Sequence, residues 1–299
     1  MDRLILGDNQ FFGVNHMSEE RGMAQLVRFQ DNSAILEVLD TAYELGIEAF
    51  SFSTHDRVRV LCDHFRSDQR HYNRLRLYPA LPYAHKYAHA VAEKGVFGAI
   101  KDVLFAENQA ASAFAMLARG GAAVLSRDAV EIMKVLVDAE LQMFRGLHIE
   151  VVFLQNIVTD LLLGLGWRDM FTAFAQHVQE RHGARPGFIT LNLPRLIDTL
   201  EQCELTDAVV CAAINKLGFQ MSPDVVTYEQ TLGKTKRPVV AMSVLAAGAV
   251  PAAEAVEYVA GFPAIRSILF GASSAAHLTQ FKQLVERRDA FALPAHEPV

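Results

Sequence analysis

Residues 237–287 constrain the fold more than any other stretch, because they repeat one pattern twice: a short apolar run, a turn of small residues, then a helix. Pro238 opens the first run, which is too short for a helix, and Gly248 ends it. Ala255, Val256 and Val259 then share a helical face before Gly261 and Pro263 stop it. The second run, residues 265–270, leads into Gly271, Ala272, Ser273 and Ser274. Their amides can open toward a ligand, and the helix that follows adds its partial positive charge, so this strand end is read as a phosphate seat. Strand, crossover helix and strand in succession require parallel pairing.

The same alternation runs back to the N-terminus. Apolar runs at residues 4–7, 48–53, 75–81, 149–154, 188–192 and 209–214 precede helical or polar stretches, giving eight strands in all. This predicts an α/β fold, a single (β/α)8 TIM barrel spanning residues 1–299 as one domain. Two additions are expected. Residues 17–31 form a long loop after the first strand, of the kind that serves as a lid. Residues 96–105 and 110–118 form a helical insertion between the third and fourth strands. Asn32 or Ser33 is expected to cap the helix after the first loop, and Ser126 a long helix carrying Val130, Met133, Val137, Leu141 and Phe144 on one face.

Composition narrows the class. A chain of 299 residues, 51% hydrophobic, can bury a large core, and no Pro/Gly/Ser tract divides it. The net charge of −6 excludes a general nucleic-acid binder. Cys62, Cys203 and Cys211 are odd in number and widely spaced, so neither a disulfide framework nor a zinc ribbon is expected, and no metal site is anticipated. The cysteine usage and the absence of an export-like N-terminus place the chain in the cytoplasm. The most apolar stretch, residues 151–167, contains Gln155, Asn156, Thr159 and Asp160 and is read as strand, polar loop and helix rather than a membrane span. The expected partner is a small molecule; the oligomeric state is not legible.

In a barrel, chemistry sits where strands end. Tyr83, His85 and Lys86 leave the third strand together, a tyrosine beside cationic groups of the kind a proton donor uses; the plainer reading is a packed turn and a solvated lysine. His55 and Asp56 leave the second strand as a base with its orienting carboxylate, or as one end of a metal site. Asp8 and Asn9 leave the first, as ligand contacts or as loop-stabilising side chains. Gln155, Asn156, Asn192, Asn215 and Ser243 bring four amides and a hydroxyl to one mouth. Unless water satisfies them, they call for a neutral, hydrogen-bonding ligand such as a nucleotide, carboxamide or sugar. His85 and His89 share a helical face without the zinc-protease pattern, and His148 with Glu150 lies at the opposite, structural end.

Four segments carry a family resemblance: Leu6-Gly-Asp-Asn-Gln-Phe-Phe-Gly, residues 39–50 ending in Gly-Ile-Glu-Ala-Phe, Ala241-Met-Ser-Val-Leu-Ala-Ala-Gly, and Phe270-Gly-Ala-Ser-Ser-Ala-Ala-His-Leu. In this order they resemble the aldo-keto reductases. The resemblance implies NADP(H) extended across the barrel mouth. Asn192 and Asn215 would meet the nicotinamide carboxamide, Met242 would replace the aromatic that stacks on the ring, and Ser243, Gly271, Ala272, Ser273 and Ser274 would face phosphates. It also implies a catalytic aspartate, tyrosine, lysine and histidine. Those positions fall here on Ser51, Asp56, the Leu81–Pro82 pair and Gln155.

Three readings stand side by side. One is an NADP(H)-dependent oxidoreductase of small carbonyl compounds, in which Tyr83 donates the proton and Lys86 or His85 tunes it. Another is a non-redox lyase, isomerase or aldolase-type barrel on a phosphorylated molecule, with His55 or Asp56 moving protons. The third is a catalytically silent ligand-binding relative.

Overall fold

The computed structural model describes residues 1–14, 18–82 and 122–287. The helical insertion expected over residues 96–118, and with it Tyr83, His85, Lys86 and His89, lies outside the described residues.

Nine parallel strands form one curled sheet in this region: β1 (Leu4–Leu6), β2 (Ala49–Phe50), β3 (Arg76–Leu77), β4 (Ala80–Leu81), β5 (Val151–Leu154), β6 (Arg185–Thr190), β7 (Val209–Ala213), β8 (Val239–Met242) and β9 (Ile265–Phe270). Their order is β3-β2-β1-β9-β8-β7-β6-β5-β4. β3 and β4 are two pieces of one stave. Bridges from Leu77 to Ile149 and from Ser53 to Ala80 join it to both neighbours, so the sheet closes on itself with eight staves. Described helices are α1 (Glu19–Arg28), α2 (Asn32–Glu44), α3 (Val58–Ser67), α4 (Ala122–Leu141), α5 (Asn156–Leu165), α6 (Arg168–His182), α7 (Leu193–Gln202), α8 (Val225–Lys234), α9 (Ala252–Ala260) and α10 (Ala275–Glu286). None is long and apolar enough to cross a membrane.

Staves covered on both faces must be apolar throughout, and β7 is buried at every residue. Alternate side chains therefore feed two cores. Outward residues such as Leu6, Phe50, Leu77, Val152 and Phe188 pack against the helices. Inward residues Ile5, Ala49, Tyr78, Val151, Phe153, Val209, Cys211 and Val240 fill the barrel. Each fully buried phenylalanine in these layers contributes about 2–3 kcal/mol relative to exposure. Gly187 on β6 is dictated by its neighbours: a Cβ there would lie 2.4 Å from the Phe153 ring and 2.7 Å from Val151.

The closed end of the barrel is plugged by polar pairs. Tyr78 donates its hydroxyl to Asp2 Oδ2 at 2.6 Å, and Arg76 pairs with both Asp2 and Glu48.

Local departures from expectation have local causes. Of the long loop expected over residues 17–31, the described part, 18–31, is mostly helix: Ser18 accepts from the Arg21 amide and caps α1, with Glu19 and Glu20 favourably placed in its first turn. Asp31, not Asn32 or Ser33, precedes α2, and Asn32 Oδ1 instead accepts from Arg57 Nε at 2.8 Å. α4 begins at Ala122, so Ser126 lies inside the helix rather than at its cap. β6 begins at Arg185, three residues ahead of the expected start, because Gly187 and Pro186 pair with Phe153 and Val152. The polar loop expected after β5 shrinks to Gln155, after which α5 starts.

Candidate functional site at the barrel mouth

The C-terminal ends of the staves surround a cavity of about 720 Å3, within the range of small-molecule sites. β1 delivers Gly7, Asp8, Asn9 and Gln10, and Ser51, Ser53 and Ala80 form the adjacent wall. Gln155, Asn156 and Ile157 come from the β5 exit, Ile189 and Leu191 from β6, Met242 and Ser243 from β8, and Gly271, Ala272 and Ser273 from β9. Among the described lining residues Asp8 is the carboxylic acid and His277 the imidazole; no lysine or arginine side chain is included.

Asp8 is the chemically distinctive group. It is 7% exposed, and its Oδ2 accepts from both the amide and the hydroxyl of Ser53 at 2.6 Å. Burial raises its pKa to about 6, against the opposing pull of these hydrogen bonds. A carboxyl poised there exchanges a proton near neutrality.

The β8 and β9 exits form the opposite wall. Ser243, Ala246 and Ala247 hold left-handed backbone at φ of 54°, 45° and 54°, costing on the order of 1 kcal/mol or more each. Such strain is characteristic of a loop shaped around a ligand. Gly271 lies against Gln10: a Cβ there would fall 2.6 Å from Gln10 Oε1. Ser274 caps α10 by accepting from the His277 amide, so its hydroxyl serves the helix rather than the cavity. α1 closes over this side. Arg28 Nη2 donates to the Ser273 carbonyl at 2.5 Å, and Gln25 lines the cavity with a buried Oε1 that has no hydrogen-bond partner.

Several residues expected at the mouth do not line the cavity. Asn192 is the N-cap of α7, its Oδ1 accepting from the Arg195 amide. Asn215 is fully buried and spends its amide on its own loop, donating to the Phe219 carbonyl at 2.8 Å and accepting from the Leu217 and Phe219 amides. Two of the four amides thought to call for a ligand are thus satisfied by backbone. His55 stacks on Phe12 with ring centroids 4.2 Å apart, and its Nδ1 accepts from the Arg57 amide. Burial and Arg57 lower its pKa against the pull of Asp56. Asp56 is exposed. Phe12 lines the cavity; His55 and Asp56 do not.

Asp8, Asn9, Gln155, Asn156, Met242, Ser243, Gly271, Ala272 and Ser273 do line it. Gln155 Nε2 also donates weakly to the Ala80 carbonyl at 3.3 Å, and Ser51 donates to the Tyr78 carbonyl at 2.9 Å. Sequence reasoning missed Ser53, Gln10, Gln25, Phe12 and His277. The polar helix signature around Ser18, with Glu19 and Glu20, is the one signal that could have brought Gln25 to the mouth.

No protein-family model matches the sequence, and no curated protein is detectably similar to it in sequence. The fold does have solved counterparts. A protein assigned as an aldo-keto reductase from Pseudomonas aeruginosa superposes with a TM-score of 0.55 at 14% identity, covering 96% of this chain and 90% of that one. A protein assigned as a 2,5-diketo-D-gluconic acid reductase B gives 0.53 at 12% identity over 99% and 89%. An aldo-keto reductase of the silkworm Bombyx mori gives 0.53 at 11% identity over 96% and 83%. The chain therefore has the (β/α)8 barrel found in aldo-keto reductases.

Proposed function

We propose that this barrel is a diverged oxidoreductase of the aldo-keto reductase type, acting on a small carbonyl compound with a nicotinamide nucleotide, NADP(H), at the mouth. The observation that carries the reading is the pairing, across one cavity of this fold, of a strained small-residue wall with a buried carboxyl poised near neutral pH.

The described residues fit a dinucleotide at its phosphate end. Ser243, Gly271, Ala272 and Ser273 would hold the phosphates, because they line the cavity at the β8 and β9 exits and the α10 N-terminus lies behind them. Met242 would face the ring. Asn192 and Asn215 are withdrawn from the carboxamide, their side chains being committed to their own loops, and Gln155 and Asn156 are the amides that line the cavity in their place. The nucleotide, when bound, supplies the hydride.

Reduction of a carbonyl also needs a proton at the oxygen. Asp8 is the group we assign to it, with Ser53 fixing its position; reduction then fades as pH rises through about 6, where the carboxyl ionises, and alcohol oxidation gains over the same range. Tyr83, with His85 or Lys86, remains the competing proton donor of the same reading.

Calorimetric titration of the full chain with NADPH and NADP+ tests the cofactor. Binding that is lost in G271V supports the proposal, and absence of heat at millimolar concentrations of either nucleotide overturns it. Turnover across an aldehyde and ketone panel then separates the donors. D8N removes the limb near pH 6 if Asp8 acts, whereas Y83F abolishes reduction if Tyr83 does.

A further inference from the structure

At the end of the molecule away from the cavity, three side chains from two helices converge. Asp138 lies on the last turns of α4. His177 and His182 lie on the last turns of α6, and His182 ends it before Gly183 turns the chain toward β6. Nε2 of His177 stands 2.8 Å, and Nε2 of His182 2.7 Å, from the same oxygen, Asp138 Oδ1. The three atoms lie within 4.8 Å of one another, and the side chains are 13%, 18% and 34% exposed in the order His177, His182, Asp138.

We propose that Asp138, His177 and His182 form a binding site for a divalent ion of the zinc class. Two imidazole nitrogens and one carboxylate oxygen are a borderline donor set, suited to Zn2+ and its neighbours and unsuited to Mg2+ or Ca2+, which take oxygen ligands. A tetrahedral ion with bonds of about 2.0–2.1 Å keeps its ligand atoms about 3.3 Å apart, so each imidazole nitrogen needs to draw back from Asp138 Oδ1 by only about half an ångström. Arg181 Nε stands 3.8 Å from the other oxygen, Oδ2, and is the cation an incoming metal competes with. Three protein ligands leave one position to water on the partly exposed side. The site is remote from the barrel mouth, so its ion acts as a clasp joining α4 to α6 rather than in turnover. The contrasting arrangement is a carboxylate that merely accepts from two neutral imidazoles.

The experiment is a titration of the full chain, freed of affinity tag and stripped with chelator, with Co2+ and then Zn2+, followed by visible absorption and calorimetry. One equivalent of Co2+ is expected to give the d–d bands of a four-coordinate nitrogen and oxygen site, and one equivalent of Zn2+ to bleach them. H177Q and H182Q, checked for native circular dichroism, are expected to bind more than about a hundredfold more weakly, beyond what losing a supporting partner alone costs. Absence of stoichiometric Co2+ and Zn2+ binding by the unmodified chain overturns the proposal without reference to any variant. Binding that is undiminished in both histidine variants also overturns it.

Discussion

At the closed end of the barrel Asp2 lies between the Tyr78 hydroxyl and Arg76, and Arg76 also meets Glu48; at the open end Asp8 is buried against Ser53, and no described cationic side chain lines the same cavity. Both ends take a carboxylate out of water. One matches it with opposite charge, and the other leaves its proton affinity high. The contrast separates architecture from chemistry: at the closed end each carboxylate has its charge matched within the fold, whereas an uncompensated carboxyl destabilises the fold above its pKa and is retained where a transferable proton is wanted.

The strongest way to break the contrast is to disturb the filled interior. G187V would drive two methyls and a Cβ into Phe153 and Val151, and is expected to cost at least about 3 kcal/mol in urea denaturation or to prevent folding. A neutral outcome would mean the interior is not packed as described. D8N sharpens the comparison from the other end. The folded pKa, about 6, lies above the ordinary 3.8, so the native state holds this proton more tightly than the unfolded chain does. Stability from this group is complete below about pH 4, fades as pH rises, and is lost above about 6. Asparagine can keep both Ser53 hydrogen bonds and does not ionise. D8N is therefore expected to be more stable than the parent at pH 8 by up to about 3 kcal/mol and equal to it at pH 4, measured by denaturant midpoints at the two values. The smallest effect belongs to the paired end. Y78F removes the hydroxyl that donates to the Asp2 carboxylate and accepts from the Asp2 amide while Arg76 remains, and should cost about 1–2 kcal/mol, with little change between pH 6 and pH 8.

The stave order was legible in the sequence because each inner strand is a short apolar run bounded by small or polar residues, as in β7 and its Asn215 exit. α1 was not, because Met23, Leu26 and Val27 are exposed and the helix offers no buried stripe to read. The amides at the mouth show a second limit. Composition placed Asn192 and Asn215 at strand ends, but whether an amide faces a ligand depends on its partners. Here those partners are only two to four residues away, Arg195 for one, Leu217 and Phe219 for the other, a range over which the N-cap at least is recognisable. The groups that define the site lie further apart. Asp8 meets Ser53 across 45 residues, and Asp138 meets His177 and His182 across 39 and 44, pairings that exist only once the barrel has closed.

The contact between Arg28 and the Ser273 carbonyl also bears on selectivity. With that oxygen occupied, and the Gly7 oxygen likewise taken by Gln10 Nε2, two of the acceptors that a rim of strand ends would present are masked. The acceptor left open on this side is Gln25 Oε1, so the wall asks an incoming molecule for a hydrogen-bond donor at that point before any question of shape arises.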